Sequence, residues 1–346
     1  MERKSPTTFL DSKLWGEIPI LDVRSPGEYA KGHIPGALSF PLFSDEERAE
    51  VGTLYKQQSR EAAYMRGLEI VGPKMAPMVK QAKEYAHNGQ VRVHCWRGGM
   101  RSESVAELLE KSGLTVTVLE GGYKAFRQQI LDTFSGQWKF IVLGGSTGSG
   151  KTDLLYQLRE AGEQIVDLED LANHKGSSFG GLGQEPQPSS EHFANLLYSS
   201  LMKCDPDRPI WIEDESINIG RVHLPDPFWE QKKRAQVIFV EVPKQERIDR
   251  LVADYGNQNP EEGLEAFERI KKRLGGQNLK QAQEALLQGD YATAADIALT
   301  YYDRAYQKAI EQRKSSQVHF INLEQVPAPE RAQALTQVAY PNIYPI

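Results

Sequence analysis

His94-Cys95-Trp96-Arg97-Gly98-Gly99-Met100-Arg101-Ser102 and, about fifty residues further on, Gly145-Ser146-Thr147-Gly148-Ser149-Gly150-Lys151-Thr152 are the stretches from which the fold can be read. Each is a glycine-bearing turn between an apolar run and a helix-favouring segment, and each builds an anion cradle around different chemistry. In the first, backbone N–H groups, a helix dipole, Arg97 and Arg101 all favour thiolate over thiol, so Cys95 is a candidate nucleophile. In the second, the glycines let backbone N–H groups face a phosphate. Lys151 then reaches its outer oxygens, and the Thr152 hydroxyl can ligate magnesium. A strand read at 138–144 leads directly into this loop, which is the context a Walker A motif needs.

Outward from these loops, short apolar strands at 18–23, 91–94 and 115–119 alternate with helices and imply a buried parallel sheet. The charged stretch 44–87 is too long for a bare connection and is expected to carry its own structure. Ser135-Gly136-Gln137 reads as a linker. Beyond it, strands at 164–167, 209–214, 236–241 and 318–322 give a doubly wound pattern, and 260–313 is mostly helical, broken at Gly275-Gly276. The expected fold class is α/β. One parallel-sheet domain covers 1–133, and a P-loop nucleotide-binding-type domain covers 137–346 with its helical portion at 260–313. A length of 346 residues, too great for one ordinary core, agrees with two domains.

Ile210-Trp211-Ile212-Glu213-Asp214-Glu215 is the candidate acidic strand that places a carboxylate near magnesium. Three acidic residues in a row leave the ligand open between Glu213 and Asp214. Magnesium is thus a candidate cofactor, while no set of His, Cys and carboxylates stands at zinc spacing and no resident metal site is expected. His174-Lys175-Gly176-Ser177-Ser178-Phe179-Gly180-Gly181 reads as a flexible cationic loop able to close over a ligand. Two cysteines make no disulfide framework, and Cys204 reads as an inert thiol. The N-terminus lacks the apolar core of a signal peptide and no apolar run approaches the roughly 18 residues of a membrane span, so a cytoplasmic location with no membrane partner is expected. The net charge of −6 disfavours a generally basic nucleic-acid binder. Any RNA must use local patches: Lys232-Lys233-Arg234, Lys271-Lys272-Arg273, or Lys56, Arg60 and Arg66.

Leu21-Asp22-Val23-Arg24-Ser25-Pro26-Gly27-Glu28-Tyr29, then Gly32-His33-Ile34-Pro35-Gly36-Ala37, then the Cys95 loop resemble, in that order, the rhodanese sulfurtransferase family over roughly the first 130 residues. The resemblance implies that Cys95 carries sulfur or selenium as a persulfide or perselenide, with Asp22 and Arg24 structural. His-Cys-x5-Arg-Ser is also the signature of cysteine phosphatases, in which the cysteine attacks phosphorus, and spacing leaves that reading open. Either way the loop suits a tetrahedral phosphate-type anion, with Arg97 and Arg101 as charge-assisted donors.

Taken with the insert Glu47-Arg48-Ala49-Glu50-Val51-Gly52-Thr53-Leu54-Tyr55-Lys56, the ending Gly121-Gly122-Tyr123-Lys124-Ala125-Phe126-Arg127 and the appended P-loop domain, nearly the whole chain resembles the tRNA 2-selenouridine synthase family. The resemblance implies a transferase with tRNA as partner. It would replace the sulfur of wobble 2-thiouridine by selenium from selenophosphate, and geranylate that sulfur with geranyl diphosphate. A P-loop recognises a diphosphate as readily as the end of ATP, so Gly145 to Thr152 are expected to hold the prenyl diphosphate. An apolar slot for its chain is expected nearby, with no residues identifiable from the sequence. Two alternatives stay open at this point: a persulfide sulfurtransferase fused to an ATP-dependent kinase, and a nucleotide-gated RNA-binding module.

Overall fold

The structure is a computed structural model that describes residues 1–10, 17–256, 259–313 and 317–342. Two units divide the chain, Met1–Phe134 with Ala194–Lys203, and Ser135–Phe193 with Cys204–Ile346.

In chain order the first unit contains β1 (Glu2–Lys4), α1 (Pro6–Phe9), β2 (Ile20–Asp22), α2 (Pro26–Lys31), β3 (Leu38–Ser39), α3 (Asp45–Gln57), α4 (Arg60–Val71), α5 (Met75–Tyr85), β4 (Gln90–His94), α6 (Met100–Lys111), β5 (Thr115–Leu119) and α7 (Gly122–Phe134). The strands form one parallel sheet in the order β1-β5-β4-β2-β3. Val91, Val93, Val116 and Val118 are buried with Leu21, Val105 and Leu109 around them. Helices cover both faces of such a sheet, which is why these strands read as apolar runs rather than as alternations. From β2 the chain adds β3 on one side and β4 on the other. The carboxyl ends of β2 and β4 therefore flank the crevice where ligands bind in open α/β sheets. The stretch 44–87 is the helical trio α3 to α5, and α3 opens on a capping box between Ser44 and Glu47. The edge strand β1, three residues long, carried no readable signal.

The second unit runs β6 (Phe140–Gly145), α8 (Lys151–Glu160), β7 (Gln164–Val166), α9 (Leu168–Leu171), α10 (Ser190–Leu201), β8 (Ile210–Glu213), β9 (Asn218–Ile219), β10 (Val222–His223), α11 (Asp226–Arg234), β11 (Gln236–Glu241), α12 (Lys244–Tyr255), α13 (Pro260–Leu274), α14 (Gly276–Leu287), α15 (Tyr291–Glu311), β12 (Val318–Asn322) and α16 (Arg331–Ala339). Most of α10, from Ala194, belongs to the first unit. The main sheet is parallel in the order β12-β11-β6-β8-β7, with a separate β9–β10 hairpin. Every residue of β6 is buried. The order reverses at this central strand, so the loop after it lies at the switch point. The helical portion breaks at Gly275 as read, and again between α14 and α15. Its three helices pack through Phe267, Ile270, Leu286, Ala294 and Ala298. Among the described residues no helix is long and apolar enough to cross a membrane.

Candidate functional site

Cys95 leaves β4 at its carboxyl end, and Gly99 caps α6, whose N-terminal dipole end faces the loop. The Sγ is buried, 3.2 Å from the Ser102 hydroxyl. Its loop is held by the Gly-Gly-Tyr-Lys segment at the start of α7: Tyr123 N–H donates to Cys95 O and Lys124 N–H to Trp96 O, both at 2.9 Å. Gly122, at φ +60°, sits so close that a Cβ there would meet Cys95 O and the backbone nitrogens of Arg97 and Gly98. Those are backbone atoms and cannot turn aside. Gly122→Ala is therefore expected to cost about 1–3 kcal/mol, read as a lower urea midpoint; an unchanged midpoint would show that the loop is not so clamped.

Beneath the loop, Asp22 and Arg24 form a buried bidentate pair, Arg24 Nη2 to Asp22 Oδ2 at 2.6 Å, and Nη2 also reaches Gly32 O at 2.7 Å. The Arg24 guanidinium lies 3.8 Å from the Tyr123 ring centroid. Tyr123 OH in turn accepts from Asn195 of α10 at 2.7 Å. This is a loop-fixing network, and Asn195, far away in sequence, is a member that no motif announces.

The two arginines differ. Arg97 is exposed on the loop. Arg101 donates to both carboxylate oxygens of Glu28, Nη1 at 2.6 Å and Nη2 at 3.2 Å. Burial alone would raise the Glu28 carboxyl, but Arg101 holds it below the usual range. Both arginines were expected to face the anion; the structure gives Arg101 an internal partner with which an incoming anion must compete. Glu28 also completes the capping box of α2 with Ser25.

In the second unit the phosphate loop bends through Gly148 (φ +79°), where a Cβ would strike the Arg247 carbonyl oxygen at 2.9 Å. Lys151 opens α8 and is buried, its Nζ donating to Gly145 O at 3.2 Å and lying 5.7 Å from the Tyr306 ring centroid. Burial alone would lower its pKa; Tyr306, Glu169, Glu215 and Asp214 together raise it, so the ammonium stays charged. A cavity of about 740 Å³ opens here, lined by Thr147 to Thr152 and by Glu169, Lys175, Asp214, Glu215, Arg250, Arg273 and Arg313. Gly145 and Ser146 support it from the strand end, Ser146 O accepting from Ser149 N–H at 3.0 Å.

Both sequence candidates for the acidic ligand already have partners within the fold. Glu213 is fully buried, does not line the cavity, and accepts from Leu168 N–H at 2.8 Å. Asp214 lines the cavity but is held by Lys232 Nζ at 3.0 Å and Arg313 Nη2 at 2.7 Å. Those cations outweigh burial and keep its carboxyl below the usual range. Glu169 and Glu215 also line the cavity and, with Asp214, act electrostatically on Lys151. Thr152 Oγ1 lies 3.5 Å from Glu169 Oε2. Burial, and then the Glu215 carboxylate, push Glu169 well above the usual range. Repulsion of this kind beside a P-loop hydroxyl is relieved by a cation, so the residues present fit magnesium. Among the described residues no group of three or more His, Cys, Asp or Glu could hold a metal by itself.

Two other expectations change. The segment after α9 is an anchored turn: Ser178 N–H donates to Tyr302 OH at 2.9 Å, and Arg269 Nη2 to Ser178 O at 2.7 Å. Lys232 is fully buried, bonded to Asp214 and to Glu215 O, and so cannot belong to an RNA track. Arg66 is paired with Glu50 and Glu69, Lys271 with Glu268, and Arg273 donates to Tyr301 OH. Lys56 and Arg60 are exposed, next to exposed Tyr55 and Tyr64, and Lys233, Arg234, Lys271, Lys272 and Arg273 are exposed as well.

Against known families, residues 5–129 match the rhodanese-like domain, and residues 138–333 match the AAA domain of tRNA 2-selenouridine synthase. The chain belongs to the tRNA 2-selenouridine synthase family. Relatives bearing that family's name occur in Shewanella denitrificans, 35% identical over 86% of this chain and 89% of that one, and in Shewanella woodyi, 35% identical over 89% and 92%. A third, from Nitrosomonas europaea, is 39% identical over 69% of this chain and 64% of its own length. The family's rhodanese-like part carries the Cys95 loop, and its AAA part carries the Lys151 cavity.

Proposed function

We propose that this chain is a tRNA-modifying enzyme that makes 2-selenouridine by two half-reactions, one in each unit. The observation that carries the reading is the buried, charged Lys151 in a cavity large enough for a diphosphate, in a chain of this family. In the P-loop unit, the thiocarbonyl sulfur of 2-thiouridine attacks C1 of geranyl diphosphate. The S–C bond forms as the C–O bond breaks, and pyrophosphate leaves with its charge on Lys151 and the loop N–H groups. Magnesium, if bound, would sit among Thr152, Glu169 and Glu215 and neutralise the same charge.

In the rhodanese-like unit, selenophosphate enters the Cys95 loop with its anion on Arg97 and Arg101. Its selenium is already at the selenide level. The electron-balanced step is attack of Sγ on phosphorus, the S–P bond forming as the P–Se bond breaks and selenide leaving for C2 of the geranylated base; water then cleaves the S–P bond, releasing phosphate and returning the thiol. A perselenide on Sγ, the form that the resemblance implies, requires an oxidant as co-reactant. Geranylthiolate then departs from C2 more readily than sulfide would. The anticodon arm is held by the insert, where Lys56 and Arg60 supply charge and Tyr55 and Tyr64 supply stacking faces.

Glu28 offers a direct test of the donor cradle. Glu28→Gln keeps the capping residue type but removes the charge that engages Arg101, so KM for selenophosphate is expected to fall about five-fold, the worth of roughly 1 kcal/mol of charge-assisted bonding. Steady-state kinetics at low salt measure it. A raised KM would mean that Glu28 orients Arg101 for the donor instead of competing for it.

A further inference from the structure

Beside the phosphate cavity the second unit holds a narrower space of about 70 Å³, walled by Phe179, Leu182, Leu251, Phe267, Leu286 and Ala298. Thr147 of the phosphate loop, with Tyr255 and Tyr302, borders both spaces, so the narrow one adjoins the cavity. Among the described residues no charged side chain lines it, whereas the cavity is lined by Lys151, Lys175, Arg250 and Arg273. A fold keeps an unfilled apolar space at a cost that grows with its volume. Here α15 presents Ala294, Ala295 and Ala298 where larger side chains would close it.

We propose that this slot binds the hydrocarbon chain of the diphosphate ester whose phosphates rest on the Gly145 to Thr152 loop. The inference rests on the reading that the loop holds a prenyl diphosphate, and it assigns the residues that recognise the chain. An anion-binding cradle adjoining an uncharged slot divides a ligand into a phosphate head and an apolar tail. A nucleobase needs donors and acceptors along its edge, and the slot offers only Asn259 and a few hydroxyls. Its volume is about half of the ~150 Å³ that holds a benzene ring. It therefore admits a flexible chain end-on rather than a ring, and a longer chain must displace the Leu286 or Phe179 side chain.

Titration calorimetry of the full chain with inorganic pyrophosphate, geranyl diphosphate and ADP tests this. Burying three to four CH₂-sized groups raises affinity about 100-fold, so geranyl diphosphate is expected to bind about that much more tightly than pyrophosphate. Ala298→Phe fills the slot and should cut that ratio to about five-fold or less. Ala295→Leu, at a half-buried position of the same wall, should lower it in the same direction, and serves if the first variant unfolds at the working temperature. Pyrophosphate binding reports that each variant's head-group site is folded. A ratio near 100-fold in both variants would overturn the slot alone. No preference for geranyl diphosphate over pyrophosphate in the parent protein would overturn the reading beneath it as well. ADP binding more tightly than pyrophosphate, with that excess lost in the variants, would make the slot a nucleobase site and overturn the proposal.

Discussion

Cys95→Ser is expected to lower selenium incorporation into tRNA by at least about 10³-fold, the scale on which removal of a covalent nucleophile acts, while geranylation of 2-thiouridine stays within about two-fold. The Sγ stands at the end of β4 against the N-terminus of α6, 3.2 Å from the Ser102 hydroxyl, where it can reach an anion held by the loop N–H groups. A serine hydroxyl is intrinsically a much weaker nucleophile than a cysteine sulfur. In the proposed scheme geranylation belongs to the other unit, with the base's own sulfur as nucleophile, and has no need of this thiol. Assays of the two products on one tRNA separate the steps. Parental selenation by the variant would remove Cys95 from the mechanism, and equal loss of both products would mean that the substitution damages the fold.

Lys151→Met is expected to weaken geranyl diphosphate binding and slow geranylation by roughly 10- to 150-fold, the equivalent of charge-assisted bonds worth about 1.5–3 kcal/mol. The same substitution removes the cation that acts on Glu169 and Glu215, so the thermal midpoint is expected to fall as well. Calorimetry at a temperature where the variant is folded separates lost affinity from lost fold. Binding within two-fold of the parent would mean that Lys151 is held by its carboxylate neighbours and does not face the phosphates.

Local motifs made most of this architecture readable. The Cys95 loop and the Gly145 to Thr152 loop each lie within ten residues, and buried parallel strands announce themselves as apolar runs. What stayed hidden depends on neighbours distant in sequence. The Glu28–Arg101 pair joins residues 73 apart, and only the Ser25-to-Glu28 capping pattern hinted that Glu28 had a local task. Three adjacent acids at the end of one strand could not be ranked, because their roles follow from what sits opposite: Leu168 N–H at Glu213, Lys232 and Arg313 at Asp214, and Glu169 at Glu215. Glu169 itself left a faint trace in the acidic run that follows the second strand of that unit. Lys232 looked like one of three surface cations, although its position on α11 turns it inward to Asp214.

The central claim is that one chain geranylates and then selenates the same nucleoside. Mass spectrometry of nucleosides from 2-thiouridine-bearing tRNA tests it most directly, with the protein incubated in nucleotide-free buffer with selenophosphate, with geranyl diphosphate, or with both. The account predicts S-geranyl-2-thiouridine with geranyl diphosphate alone and 2-selenouridine when both are present, with no requirement for ATP. Strict dependence on ATP, or no geranylated nucleoside under any condition, would contradict it.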